Sequence, residues 1–364
     1  MLRRGFIWFH RYLGLAITLF IVLIAFAGTL LVFQEELERR FEPSLGYVAV
    51  GTAKLPLQAQ LDSLKAQGYA VLNLGASSEP TYSHRIVVRK DKDPLFGFIN
   101  PYTGKVLGAK SSAERDQTLM RRIYLLHTAL LAGKNGKKIV ELVSWLTALM
   151  MLTGLVVWWP RKIMTISRRG SWRRLNFDLH SAFGFFGSAI GLMLALTGVW
   201  IANEKTFNAA LKQLDAVEAP VAPKIDRIKG QPVLGLDTLS IIADAALPGA
   251  ETKFIGPFNA PTISFTKRYP EDHTPGGRSS VLVNAYTGEV LLVSSTRTQG
   301  TGTKLINSLR DLHTGAKFGL TSQLLFGLSS FALVVQALSG LLMWWRPARA
   351  KKSAPVLAVA DRAA

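Results

Sequence analysis

Four long runs of apolar residues constrain this chain more than any other feature. Residues 13–33 carry no charged side chain, and three further runs, 139–159, 182–202 and 324–345, hold a single acid between them, Glu141. A helix rising about 1.5 Å per residue crosses a hydrocarbon core of about 30 Å in roughly 20 residues. Each run therefore predicts a membrane span. Arg3 and Arg4 before the first run, and Ala25-Phe26-Ala27 within it, imitate a cleaved secretory signal. The run is longer than the apolar core of such a signal, about 7–15 residues, and its pattern returns later in the chain. It reads as a retained span.

The spans make sense of the charge. The chain of 364 residues has 43 Lys and Arg against 24 Asp and Glu, a formal net charge of +19. Such a balance suggests nucleic acid or anionic lipid until the charges are placed. Arg3, Arg4 and Arg11 flank the first span; Arg161, Lys162, Arg168, Arg169, Arg173 and Arg174 follow the second; Arg346, Arg349, Lys351, Lys352 and Arg362 follow the fourth. Only Asp178 and Asp361 oppose these 14 cations, so +12 of the +19 gathers at one face. Basic residues mark the cytoplasmic ends of spans. Both termini are thus expected in the cytoplasm, with the long connections 34–138 and 203–323 on the opposite side. No aromatic-interleaved basic groove is present, so no nucleic-acid partner is expected. Membrane lipids are the partner the charge predicts.

The sequence also repeats itself. Aligning His10 with His180 brings Gly14 onto Gly184 and Gly28 onto Gly198. Aligning His127 with His313 superposes two Leu-His-Thr triplets, Gly133 on Gly319, Gly154 on Gly340, and Trp158-Trp159 on Trp344-Trp345. Between them, Asn100-Pro-Tyr-Thr-Gly-Lys-Val-Leu107 matches Asn284-Ala-Tyr-Thr-Gly-Glu-Val-Leu291. The chain therefore reads as an α-helical membrane protein of two copies, 1–161 and 172–347. Each copy is span, outer domain, span, which makes the repeats parallel about an axis along the membrane normal. The outer segments are expected to be two α+β domains. Helices are predicted at 57–67 and 236–246, the second with Asp237 as its N-cap, and strands at 85–88, 96–99, 105–107, 262–267, 280–284 and 289–293. The Tyr-Thr-Gly segments fit hairpin turns.

Four of the six histidines, His10, His127, His180 and His313, fall at equivalent span ends, while His84 and His273 do not correspond. The repeat pairs His10 with His180 and His127 with His313, in two layers. Ionisable groups at membrane depth are costly and need a named partner. Facing imidazoles from separate helices are the axial ligands of a b-type haem, and the absence of cysteine excludes thiolate sites and covalently attached haem. Gly14 and Gly184, one turn after a histidine, would clear the porphyrin's approach. Arg11, Arg173 or Arg174 could pair with haem propionates in one layer, and Arg121, Arg122, Arg310 or Lys317 in the other. Against this stand structural histidines at helix ends, glycines serving only close packing, and tryptophans serving as interface anchors. Glu141 reads as an ion pair with Lys138, and Gln336 as a hydrogen bond to a neighbouring helix. Zinc would be under-coordinated by two histidines, and copper lacks a spacing signature.

The His-Arg-Tyr-Leu-Gly opening (residues 10–14), the Asn-x-Tyr-Thr-Gly-x-Val-Leu segments, and Leu-His-Thr followed by a span ending in Trp-Trp-Pro-Arg (residues 158–161) resemble the PepSY-associated transmembrane helix family. The likeness covers residues 5–347; Trp-Trp-Arg-Pro in the second copy reverses the motif's end. Members of that family include inner-membrane reductases of ferric siderophores. The resemblance implies spans within 5–33, 118–161, 175–202 and 309–347, with the second and fourth of these segments opening on a short periplasmic helix. Periplasmic PepSY-like domains are expected at 34–117 and 203–308, a cytoplasmic loop at 162–174, and a disordered tail at 348–364. It further implies two b-type haems on His10, His180, His127 and His313, a bacterial inner-membrane location, and a ferric siderophore or other periplasmic acceptor. No dinucleotide or flavin fingerprint is present, so the electron donor is expected to be a cytoplasmic molecule or a quinol. The alternative function is a membrane-anchored binding or regulatory protein, and a transporter is a third.

Overall fold

The computed structural model describes residues 2–159, 166, 171–215, 222–228 and 230–345. The Pro160-Arg161 exit, Lys162, Arg168, Arg169 and the tail from Arg346 lie outside the described residues. Among the described residues four helices are long and apolar enough to cross a membrane: α1 (Leu2–Leu31), α7 (Gly133–Trp158), α8 (Trp172–Ala202) and the segment Ala316–Trp345, a 3-10 turn running into α12 (Gly319–Trp345). The chain between α1 and α7 forms α2 (Gln34–Phe41), α3 (Pro43–Gly46), α4 (Leu57–Ala66), β1 (Ala70–Gly75), β2 (His84–Arg89), β3 (Pro94–Ile99), β4 (Val106–Ser111), α5 (Ser112–Asp116) and α6 (Leu119–Ala129). Between α8 and α12 come α9 (Glu204–Lys212), α10 (Leu236–Ala246), β5 (Glu251–Gly256), β6 (Thr262–Arg268), β7 (Ser279–Asn284), β8 (Val290–Ser294) and α11 (Thr301–Thr314).

The long helices close a ring in which α1 packs on α7 and α12, and α8 packs on α7 and α12. Ile17, Ile21, Ala25, Val143 and Val334 are buried between them. The outward faces stay apolar: Leu19, Phe26, Leu152 and Leu328 are exposed, as lipid contact requires. Gly133 and Gly319, each six residues past a Leu-His-Thr histidine, take φ of +55° and +67° where the chain turns from a short helix into a span. Only glycine adopts that conformation without steric cost, which explains the repeat at this position.

The two outer segments, each α+β, are joined edge to edge. All eight strands form one antiparallel sheet in the order β4-β3-β2-β1-β5-β6-β7-β8. The join is β1 on β5, with Leu74 opposite Ile255 and Gly75 opposite Phe254. One core runs through both halves, from Leu64, Leu74 and Val88 to Leu239, Ile255 and Phe265. β1 and β5 are the strands that the sequence patterning does not reveal. Their alternation is weak, and their edges are satisfied by each other rather than by a local hairpin. The expected role of Asp237 is corrected. It accepts from Leu57 N at 2.8 Å, at the start of α4, while Leu236 N of α10 donates to Gln58 Oε1 at 2.7 Å. Each helix thus supplies the other's N-terminal acceptor, tying the halves a second time.

The halves are filled differently. Register aligns His84 with Ile263, because both sit opposite equivalent residues, Ile99 and Val283. In the first half His84 is 4% exposed; its Nδ1 donates to Gln60 Oε1 at 3.0 Å, and Ser77 N donates to its Nε2 at 3.3 Å. In the second half the same two places hold Ile263 and Leu239, both buried. Burial, reinforced by the nearby Lys54 ammonium, pushes the His84 imidazole down to about 4 from an ordinary 6.5. The unfolded chain then binds the proton first. The contribution is complete above about pH 6.5 and is lost as pH falls towards 4, by up to about 3 kcal/mol. Thermal melts of the detergent-purified protein from pH 7.5 to 4.5 should show this. The Gln60→Leu/His84→Ile variant, which installs the second half's pair, should fold and lose less stability on acidification than the natural chain. An equal loss in both would remove His84 as the cause.

Candidate functional site

The ring of helices brings the equivalent histidines together in pairs. His10 of α1 lies across the ring's diagonal from His180 of α8, with ring centroids 6.4 Å apart. His127 of α6 faces His313 of α11 at 6.0 Å. α6 packs on α1 and α7, and α11 packs on α8, so the second pair sits at the sheet end of the bundle. Gly28, which touches His127, lies 18 positions after His10 on α1. That is about 27 Å of helix rise, close to the thickness of a hydrocarbon core.

Every ring is anchored through Nδ1. The Thr153 hydroxyl donates to the Met150 carbonyl at 3.1 Å and so receives its hydrogen bond from His10 Nδ1, at 3.0 Å. Thr197 donates to the Met193 carbonyl at 2.7 Å and receives from His313 Nδ1 at 2.9 Å. Ser339 donates to the Gln336 carbonyl at 2.9 Å and receives from His180 Nδ1 at 2.9 Å, with that carbonyl itself 3.1 Å from the same nitrogen. His127 Nδ1 donates to the Ile24 carbonyl at 2.8 Å. A hydroxyl has one proton to give and a carbonyl has none, so the network assigns the proton to Nδ1 in all four neutral rings. The lone pair then sits on Nε2. No described residue hydrogen-bonds any of these Nε2 atoms, and none is sealed off by protein. A metal-ligating histidine has this tautomer, one nitrogen donating to protein and the other carrying a free lone pair.

Each ring also rests on a glycine of the other span in its own copy. An added Cβ would lie 3.1 Å from His10 Cε1 at Gly154, 3.3 Å from His180 Cε1 at Gly340, 3.0 Å from His127 Cε1 at Gly28, and 3.5 Å from His313 Cε1 at Gly198. The four repeat glycines thus seat imidazoles, beyond any part in helix packing. Gly14 and Gly184 do something else. Cβ atoms there would meet Met150 Cε at 3.1 Å and Gln336 Nε2 at 2.7 Å. Both glycines line a cavity of about 560 Å³ around the His10–His180 pair, together with Arg3, Arg11, Phe177, Trp158 and Trp344. The volume lies within the range of small-molecule and cofactor sites, about 300–1,000 Å³.

The candidate cations divide. Arg11 lines that cavity, as does Arg3, which the sequence did not single out for a ligand. Arg174 pairs with the buried Asp178 at 2.8 Å. Arg121 pairs with Asp116 at 2.9 Å, Arg310 with Glu204 at 3.0 Å, and Lys317 donates to Ser308. Arg122 and Arg173 are exposed. Glu141 corrects an expectation: it accepts from Asn203 Nδ2 at 2.9 Å and makes no ion pair with Lys138. Gln336 reaches from α12 to the His180 carbonyl at 2.6 Å. The first tryptophan pair splits by face, with Trp158 buried against Phe185 at 4.0 Å and Trp159 exposed, while Trp344 and Trp345 are both exposed.

Thr153, Ser339 and Thr197 are the site residues that sequence reasoning passed over. Thr153 and Ser339 stand at equal distances after the two Leu-His-Thr histidines, so the repeat alignment contains that signal. No cluster of three or more histidine, cysteine or carboxylate ligands occurs among the described residues. The donor set is two imidazoles per layer. Imidazole nitrogens held about 2 Å from one metal ion on opposite sides put the ring centroids about 6 Å apart, and both pairs meet that requirement. Among curated proteins nothing matches the chain. A family model described as the PepSY-associated TM region matches residues 7–347. That span takes in all four histidines, all four long helices and the whole sheet, and the chain belongs to the PepSY-associated transmembrane family.

Proposed function

We propose that the chain is a di-haem b oxidoreductase of the bacterial inner membrane, in which His10 and His180 would hold one haem and His127 and His313 the other. The observation that carries this reading is the joint state of the four rings. They are opposed in pairs at 6.4 and 6.0 Å, each with Nδ1–H tied back to protein and Nε2 left for a metal. A haem so ligated supplies one-electron transfer with no acid–base residue required. The chain's own part is ligation, orientation and insulation. Thr153, Ser339, Thr197 and the Ile24 carbonyl fix the ring planes and raise the basicity of Nε2. The glycine seats admit the rings between helices. Arg3 and Arg11 bring positive charge to the first cavity, where propionates need partners.

The two layers lie near opposite faces of the hydrocarbon core, so electrons would enter from a cytoplasmic or quinol donor at the His10 layer and leave at the His127 layer. The basic excess around the spans favours both termini in the cytoplasm and the sheet in the periplasm. The sequence copies and the mirrored strand order fit two parallel repeats with PepSY-like halves. As acceptor we favour a ferric siderophore: one electron per Fe(III) gives Fe(II), whose weaker hold on hard oxygen ligands releases the metal.

A reduced-minus-oxidised absorption spectrum of the purified protein should show a b-type α band. Alanine in place of any one of His10, His180, His127 or His313 should remove about half of the bound haem. A protein without the band would leave the reading of a membrane-anchored binding protein in its place. The glycine seats give a separate check, because Gly154→Leu should empty the His10 layer and Gly28→Leu the His127 layer. Each should keep the other layer's signal in a potentiometric titration. Retention of both haems in both variants would contradict the seating.

A further inference from the structure

The two short helices that carry the His127–His313 pair are not supported alike. α6 packs on two spans, α1 and α7, and its His127 is tied to the Ile24 backbone carbonyl. α11 packs chiefly on one span, α8, and on α9, and its His313 is tied to the Thr197 hydroxyl of α8 at 2.9 Å. The opposite side of α11 is taken by the sheet. Asp311, two residues before His313 and so turned roughly 200° from it around the helix, is buried. Its Oδ1 receives Arg278 Nη2 and the Thr274 hydroxyl, both at 2.8 Å. Arg278 Nη1 donates to Asn307 Oδ1, one turn before Asp311 on α11, at 2.5 Å. Thr274 and Arg278 both belong to the connection between β6 and β7, so these bonds form a strut from the sheet to the helix.

The repeated frame does not itself require the strut. The β6–β7 connection runs over residues 269–278, against 90–93 between β2 and β3. By the alignment of the copies, Leu125 stands at the place of Asp311 and Pro94 at that of Arg278. The longer connection and both charged partners thus occur only in the copy whose histidine helix lacks a second supporting span. A pair with side chains 16% and 10% exposed is costly to desolvate, and apolar residues could fill the place without that cost. What the pair supplies instead is direction, because one planar guanidinium bonded to both Asp311 and Asn307 fixes the height and the rotation of α11 together. Glu204 and Asp215 also hold α11, through Arg310 at 3.0 Å and Thr303 N at 3.1 Å, but they lie on or just after α9 and do not reach the sheet. We propose that Arg278 and Asp311 are positioning residues for the His127–His313 pair, holding α11 from the sheet side so that His313 meets its partner at 6.0 Å. That this spacing serves a haem rests on the proposed function.

The chain has no cysteine, so spin labels at Leu119→Cys on α6 and Lys304→Cys on α11, both exposed, report the distance between the two helices with or without haem. The Arg278→Met/Asp311→Leu variant removes the strut without stranding a buried charge. Electron–electron double resonance on the purified full-length protein should show a shifted or broadened label distance in that variant, with an unchanged far-ultraviolet spectrum. In the haem-loaded natural chain two imidazoles fill the axial positions of each layer, and the reduced protein should not bind carbon monoxide. The double variant should open about half of its haem to carbon monoxide, that of the His127 layer, and keep the rest closed. Asp311→Asn retains an oxygen acceptor for Arg278 and Thr274 and should behave as the natural chain. Unchanged label distances in the double variant overturn the strut. Haem that stays closed to carbon monoxide while the distances shift overturns its part in placing His313. A protein without an α band removes the haem reading instead, and the label distances then decide the strut alone.

Discussion

The hydrogen bond from each imidazole Nδ1 to a hydroxyl or carbonyl on a neighbouring helix is the interaction on which the rest of the bundle depends. A polar ring between apolar helices is costly unless it is satisfied, and here Nδ1 is satisfied by protein while Nε2 has no hydrogen-bond partner among the described residues. The anchors come from α7 for His10, α12 for His180, α1 for His127 and α8 for His313. Each bond therefore also ties two elements of the ring. The glycines follow from the same demand. A ring can reach its anchor across a helix interface only if the facing backbone carries no side chain, and Gly28, Gly154, Gly198 and Gly340 stand where it crosses.

The same repeated frame carries two different contents. The sheet is continuous and the helix starts of α4 and α10 cap each other, so the halves share one core. Within it, Gln60 and His84 in one half replace Leu239 and Ile263 in the other. Near the second histidine pair, one copy has the ion pair of Arg121 with Asp116, and the other those of Arg310 with Glu204 and Arg278 with Asp311. Positions that both copies share serve the histidine layers. Positions where they diverge give one half of the sheet a buried polar network where the other half is apolar.

Much of this was legible along the chain, for physical reasons that can be named. Membrane spans are legible because twenty apolar residues in succession have few other fates, and the helices at Leu57–Ala66 and Leu236–Ala246 because their apolar spacing is regular. The pairing of the histidines was legible because the copies align on them. β1 and β5 were not, since their main stabilisation is a long-range edge pairing that leaves no local pattern. The role of Asp237 was misread for the same reason: its acceptor serves a helix about 180 residues away. The cations showed the opposite failure. Arg121 and Arg310 look available in sequence, and their carboxylate partners appear only in space.

The sequence by itself determined the four spans, their common orientation signal, the two copies, and which four histidines correspond. Those properties follow from composition and spacing, which solvent and lipid read without reference to the fold. Only the tertiary structure decided which nitrogen of each ring is free and which glycine seats which ring. It also decided that the two outer segments share one sheet, and that Asp237 of one segment serves the helix start of the other. Each of these is a matter of distance between groups remote in sequence, and hydrogen bonds and ion pairs act over a few ångströms of space whatever the length of chain between them.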